Sequence, residues 1–172
     1  MKTHLIAALA AVLATAAPSL VSAQEAVVSP VVGTADTPEV PLDPVAAWEA
    51  DRTVILAAPD VDLDDFKWRA RPIIIFADSP LDPAFQTQME YFGEEMDEVT
   101  DRDIVLITDT DPDALSDLRR ALRPRGFMMV LIGKDGGVKL RKPFPWDMRE
   151  IGRTIDKMPI RQREIQERRG AR

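Results

Sequence analysis

The chain has 172 residues, a formal charge of −7, no cysteine and a single histidine, His4. Without cysteine there is no thiolate nucleophile, no disulfide and no cysteine metal site. The charge is split along the chain: Gln24 to Asp117 holds 23 acids and 5 bases, whereas Leu118 to Arg172 holds 6 acids and 16 bases. Such a division points to an acidic-on-basic contact within the molecule or to a basic end with an outside partner.

Residues 1–23 read as a secretory signal peptide. Lys2 and His4 open it, Leu5 to Ala17 is an apolar run, and Val21-Ser22-Ala23 places small residues before a cleavage site. The run is shorter than the roughly 20 residues needed to span a bilayer. Cleavage after Ala23 gives an exported, periplasmic or secreted protein and removes the one histidine, and with it any Ser-His-Asp triad. Residues 24–44, with Pro30, Pro38, Pro41 and Pro44, read as an extended linker. Residues 45–159 form the expected domain, and 160–172 a basic tail, helical in part.

Within the domain, Thr53–Ala57 and Arg71–Ala77 read as strands, the second buried on both faces because its apolar run is continuous. Asp82–Val99 reads as one helix, with Phe85, Met89, Phe92, Met96 and Val99 on a single stripe behind an Asp82-Pro83 start. Asp103–Thr108 is a further buried strand. Asp111-Pro112 repeats the cap-and-proline start, so a helix is expected with Leu115, Leu118 and Leu122 inward. Phe127–Ile132 is the fourth strand. Lys134-Asp135-Gly136-Gly137 supplies the positive φ of a hairpin turn, and Val138–Leu140 returns antiparallel. Met148, Ile151, Ile155 and Met158 mark a last packed helix that Pro159 ends or kinks. Strand-helix-strand units followed by a hairpin and one final helix predict an α/β, three-layer, thioredoxin-like fold with a mixed sheet, in preference to a flavodoxin-like sheet.

Three stretches carry a family resemblance: Leu63 to Trp68 leading into Arg71 to Ala77, Leu131 to Arg141, and Ile155 to Glu164. In these the chain resembles the bacterial domain of unknown function 4174. The resemblance implies a thioredoxin-like domain, distantly similar to peroxiredoxins and related to domains of secreted sushi-repeat matrix proteins. It implies no agreed activity.

A redox enzyme of this fold needs a thiol where the helix after the central strand begins. That junction is Asp78-Ser79-Pro80-Leu81-Asp82, without sulfur, and Met128 stands where such folds place a proline opposite it. Ser79 has no histidine to activate it and reads as a turn residue. Asp109, Asp111 and Asp113 match the start of a calcium loop, but Ala114 and Arg120 stand where Gly and Glu are required, and Asp60, Asp62 and Asp64 fail in the same way. Asp111 therefore reads as a helix cap. The glycine turn at 133–137 precedes a strand and not a helix, unlike a phosphate loop. No metal or cofactor is expected.

The remaining candidates are basic. Lys134, Asp135, Lys139 and Arg141 on the hairpin, with Arg161 and Arg163 in the tail, form the candidate binding surface. An anionic envelope component or an acidic protein fits it. Export and the lack of a base-stacking motif argue against nucleic acid. The expected function is a non-catalytic binding or adaptor module at the cell envelope. A cysteine-independent enzyme using Ser79 or a carboxylate at 78–82, and a purely structural role, stay open.

Overall fold

The computed structural model describes residues 43–171. The leader, the linker up to residue 42 and Arg172 lie outside the described residues.

Helix α1, Pro44–Ala50, was absent from the sequence expectation. Asp43 caps it by accepting from the Val45 N–H, and Pro44 takes the first-turn position that has no need of a donor. The last two residues of the expected linker thus begin a helix. Trp48 is its anchor: the indole is 1% exposed, donates to the Ile104 carbonyl at 3.2 Å, meets Phe66 edge-on and is covered by Arg52 at 3.6 Å.

The five strands are β1 Ile55–Ala57, β2 Arg71–Phe76, β3 Ile104–Asp109, β4 Met128–Ile132 and β5 Val138–Lys142. They lie in the order β1-β3-β2-β4-β5, with β1, β3 and β2 parallel and β4 and β5 antiparallel to their neighbours. Arg71 to Phe76 and Ile104 to Ile107 are buried throughout. This matches their unbroken apolar runs, because a central strand covered on both faces cannot alternate.

Layers of helix lie on both sides. On one face α1, α4 (Asp117–Leu122) and two 3-10 turns pack Trp48, Phe66, Leu118 and Leu122 on Ile74, Phe76, Val105 and Ile107. On the other, α2 (Pro83–Glu94), α3 (Met96–Asp101) and α5 (Met148–Asp156) pack Phe92, Val99, Ile151 and Ile155 on Ile73, Ile75, Leu106 and Met129. The strand order, the crossovers and the closing hairpin and helices make this a three-layer thioredoxin-like fold. Among the described residues no helix is long and apolar enough to cross a membrane.

Three local expectations change. The helix expected over Asp82–Val99 is two, broken at Glu95 (φ −123°, ψ 36°), although Phe92, Met96 and Val99 still share one core. Asp111-Pro112 does not start a helix. Asp111 accepts from the Asp113 and Ala114 N–H groups in a turn of its own, Leu115 is 56% exposed at φ 47°, and Ser116 caps α4 instead. The expected tail is helix α6, Pro159–Gly170, with Arg161 only 3% exposed.

The loop before α5 is pinned by one amide. Gln88 is fully buried on α2, donates to the Trp146 carbonyl at 2.9 Å and accepts from the Trp146 N–H at 2.8 Å. Gln88→Leu strands both backbone groups. It should lower the unfolding free energy in urea by about 2 kcal/mol, and a change below about 0.5 kcal/mol would show the clamp to be dispensable.

Candidate functional site

The candidate residues fall at opposite ends of the sheet. Asp78, Ser79 and Met128 gather where β2 and β3 end. Met128 lies opposite Phe76 in the register, and a side chain at Gly126 would come within 3.9 Å of Asp78 Oδ2. Ser79 Oγ accepts from the Leu81 N–H at 3.1 Å, and Asp82 caps α2. Both side chains are engaged in local turn and cap bonds, and Asp78 is exposed with Arg119 4.0 Å away.

Behind this junction lies a cluster the sequence reading did not single out. Arg119 on α4 donates from Nε to Asp109 Oδ1 at 2.7 Å and from Nη2 to the carbonyls of Ala77 and Asp109. Ser116 Oγ donates to Asp109 Oδ2 while accepting from the Arg119 N–H. Arg119 and Asp109 side chains are 8% and 3% exposed. The guanidinium therefore ties the ends of β2 and β3 to α4. Asp109, considered above as the first position of a calcium loop, is committed to this arginine and serine.

The hairpin-turn candidates Lys134, Asp135 and Lys139 lie at the other end, beside α6, whereas Arg141 stands mid-strand opposite Val130 and reaches α4. Arg71, 1% exposed in its side chain at the start of β2, donates from Nη2 to both oxygens of Glu164 at 2.9 and 3.0 Å, and from Nη1 to the Arg102 carbonyl. Lys134 bridges Asp103 at 2.7 Å and Glu164 at 2.9 Å. Arg161 pairs with Asp101, lies 3.5 Å from Asp156 and Glu164, and donates to the Asp101 carbonyl. Burial pushes the Glu164 carboxyl up, but Lys134 and Arg71 outweigh it and hold the group below its ordinary value. Asp101 is treated alike: burial raises it, and Arg161 and Arg168 hold it low. The split in charge along the sequence is thus partly neutralised inside the molecule.

Lys134 and Arg161, expected from the sequence to bind a partner, are instead paired with these carboxylates of the same chain. Asp135 is exposed. It accepts from Lys139 at 2.6 Å and from the Gly137 N–H, which together hold its carboxyl low. Among the described residues the ion pairs engage Lys134, Lys139 and Arg161 but not Arg141 or Arg163. Both of these are exposed, Arg141 donating only to the Leu122 carbonyl.

The three stretches that carry the family resemblance meet at this end. The Trp68 N–H donates to the Lys134 carbonyl at 2.8 Å, and the Lys67 side chain lies across Gly136. Gly136 has φ +77°, a backbone conformation that strains other residues, so the turn favours glycine there. Between the turn and the start of α6 lies a cleft of about 260 Å³ with Met158, Pro159 and Ile160 on one side and Lys134, Asp135 and Lys139 on the other, Arg71 adjoining. The residues that bring 133–139 into contact with α6 are long-range pairs, which local spacing does not reveal. A charged Arg71 opening an apolar strand was the available signal, since such a residue requires a buried counter-charge.

No curated protein matches the chain by sequence. Among solved structures, a 2-Cys peroxiredoxin of Plasmodium vivax is similar at 14% identity, with 60% of this chain and 85% of that one covered and a TM-score of 0.48. A yeast mitochondrial 1-Cys peroxiredoxin shows 14% identity, 62% and 97% coverage and a TM-score of 0.45. A chloroplastic thioredoxin z shows 20%, 52%, 79% and 0.42 in the same order. The strand order, and not these distant likenesses, carries the fold assignment. The family model described as a domain of unknown function, DUF4174, matches residues 62–164, from the 3-10 turn before β2 to Glu164 on α6, and the chain belongs to that family.

Proposed function

We propose that this chain is an exported, non-catalytic thioredoxin-like binding module that holds an anionic partner at the cell envelope. Cleavage near Ala23 would release the domain outside the cytoplasm. The observation that carries the reading is the contrast among the basic residues of the hairpin and α6. Lys134 and Arg161 are consumed by carboxylates of the same chain, while Arg141 and Arg163 stand exposed without one among the described residues. Exposed, unpaired arginines cost little stability and are free to meet carboxylate or phosphate groups. The candidate binding residues are accordingly fewer than the charge count suggests: Arg141 and Arg163.

Arg141→Glu with Arg163→Glu should leave the fold intact and reduce retention on bacterial envelope fragments at least tenfold in low salt. Sedimentation of the purified chain with such fragments measures it. Unchanged retention of the double variant would remove the basis for the proposal.

A further inference from the structure

Three exposed arginines gather at one corner of the sheet. β5 ends at Lys142, opposite Met129, and β4 begins at Met128. The loop before β4, 123–127, and the loop after β5, 143–147, therefore leave the sheet side by side, about 5 Å apart in strand spacing. The first loop carries Arg123 and Arg125, and Arg141 stands on β5; all three are exposed. Arg141 Nη1 donates to the Leu122 carbonyl at 2.7 Å, which brings it to the start of the first loop. Among the described residues the ion pairs around α4 engage Arg119 and Arg120 but none of these three. The carboxylates of this region have partners of their own. Asp117 takes Arg120, Asp78 faces Arg119 at 4.0 Å, and Asp147 accepts from the Glu150 N–H as the cap of α5.

Arg123 is also out of place on grounds of stability. It ends α4 at φ 48°, a left-handed position where helices usually hold glycine. Glycine would take that conformation without strain, so the fold does not account for the arginine.

Beside the arginines an aromatic ring is held in water. Phe144 is 52% exposed and lies between Pro143 and Pro145, which fix the backbone on both sides. The Gln88 bonds to Trp146 anchor the end of the same loop. Lys142 lies 3.8 Å from the Trp146 ring and 5.7 Å from the Phe144 ring, so a cation steadies both. Guanidinium groups next to a fixed, exposed ring suit a surface that presents anionic oxygens directly above an apolar layer. A soluble polyanion would satisfy the arginines and leave the ring in water.

We propose that this corner docks the domain on a bilayer containing anionic phospholipid, with Arg123, Arg125 and Arg141 meeting phosphates and Phe144 entering the headgroup layer. The inference rests on the reading of the chain as a module for anionic partners, and it names the partner. The chain as a whole is acidic, so the attraction is local to the corner and is weakened by salt.

The test sediments the full chain with vesicles of mixed phosphatidylglycerol and phosphatidylcholine and with vesicles of phosphatidylcholine alone. The mixed vesicles should bind at least tenfold more tightly. Arg123→Gly with Arg125→Gln should weaken that binding at least tenfold. The same pair should leave the urea midpoint unchanged or raised, because glycine relieves the left-handed strain. Phe144→Ser should weaken binding at least threefold. Lys157→Gln with Arg169→Gln removes equal charge just after α5 and on α6, and should leave binding within twofold. The apolar leader is common to all these variants and cancels among them. Inorganic phosphate, matched to the lipid phosphate, should displace nothing. Equal binding to the two vesicle types, unchanged binding of the Arg123 and Arg125 pair, an equal loss with the Lys157 and Arg169 pair, or displacement by phosphate would each overturn the proposal. Unchanged binding of Phe144→Ser would overturn it too, and would assign the arginines to a soluble polyanion. Retention on envelope fragments is read through Arg141 and Arg163, and vesicle binding through Arg123, Arg125 and Phe144. The two can therefore fail separately.

Discussion

Glu164→Gln should be among the most destabilising single substitutions on the surface of this domain, at about 3 kcal/mol or a fall of about 10 °C in Tm. Glu164 is the carboxylate shared by Arg71, Lys134 and Arg161. Its loss leaves Arg71, 1% exposed, with the Arg102 carbonyl and with Asp103 only at 4.0 Å. Removing one partner of a buried pair costs far more than the pair contributes, because the remaining charge stays out of water. Arg163→Gln, one residue away and exposed, should change stability by less than about 0.5 kcal/mol. Urea titration of the two variants side by side gives the comparison. Near-equal stability of Glu164→Gln and wild type would mean that α6 is not held by this carboxylate.

Acid should act on the same contact. The Glu164 carboxyl ordinarily titrates near 4.5 and in the folded chain lies lower. Its contribution is therefore complete above about 4.5 and is lost as the pH falls through the folded value. Asp101, ordinarily near 3.8 and also held low, loses its hold on Arg161 and Arg168 in the range below that. Unfolding free energy should thus fall on acidification below about pH 4.5, and the fall should be shallower in Glu164→Gln.

The parts of this fold that the sequence made plain are those whose burial is local in cause. Ile73–Ile75 and Ile104–Ile107 are continuous apolar runs and became the central strands. The Asp135-Gly136 turn specified its own φ. Helix α1 was obscured because Pro44 looks like the end of a proline-rich segment, whereas its missing N–H suits a first helical turn. Leu115 was placed inward by its spacing to Leu118, but spacing operates only within a helix, and Ser116 starts the helix one residue later. The candidate site was legible in part. The hairpin and the start of α6 do meet, yet counting bases could not separate Arg163 from Arg161. That distinction depends on Asp101 and Glu164, and Glu164 reaches Arg71 across 93 residues of chain.

The opposite end of the sheet yields the other large effect. Asp109→Asn should lower stability by about 3 kcal/mol in urea titration. The Arg119 guanidinium, 8% exposed, would keep the carbonyls of Ala77 and Asp109 and the exposed Asp78 at 4.0 Å but lose its buried counter-charge. Ser116→Ala, which removes the cap of α4 and one bond to Asp109, should cost about 1 kcal/mol. Ser79→Ala, which removes one bond within an exposed turn, should stay within about 0.5 kcal/mol. This order follows from burial: the charge is deepest at Asp109, shared at Ser116 and absent at Ser79. If Ser79→Ala were the costly variant and Asp109→Asn the mild one, the junction after β2 would hold a stability element in Ser79 that its single turn bond does not explain. The expected order instead makes Arg119 the fastener of this end of the sheet, joining two parallel strands to the helix that follows them without any sulfur chemistry.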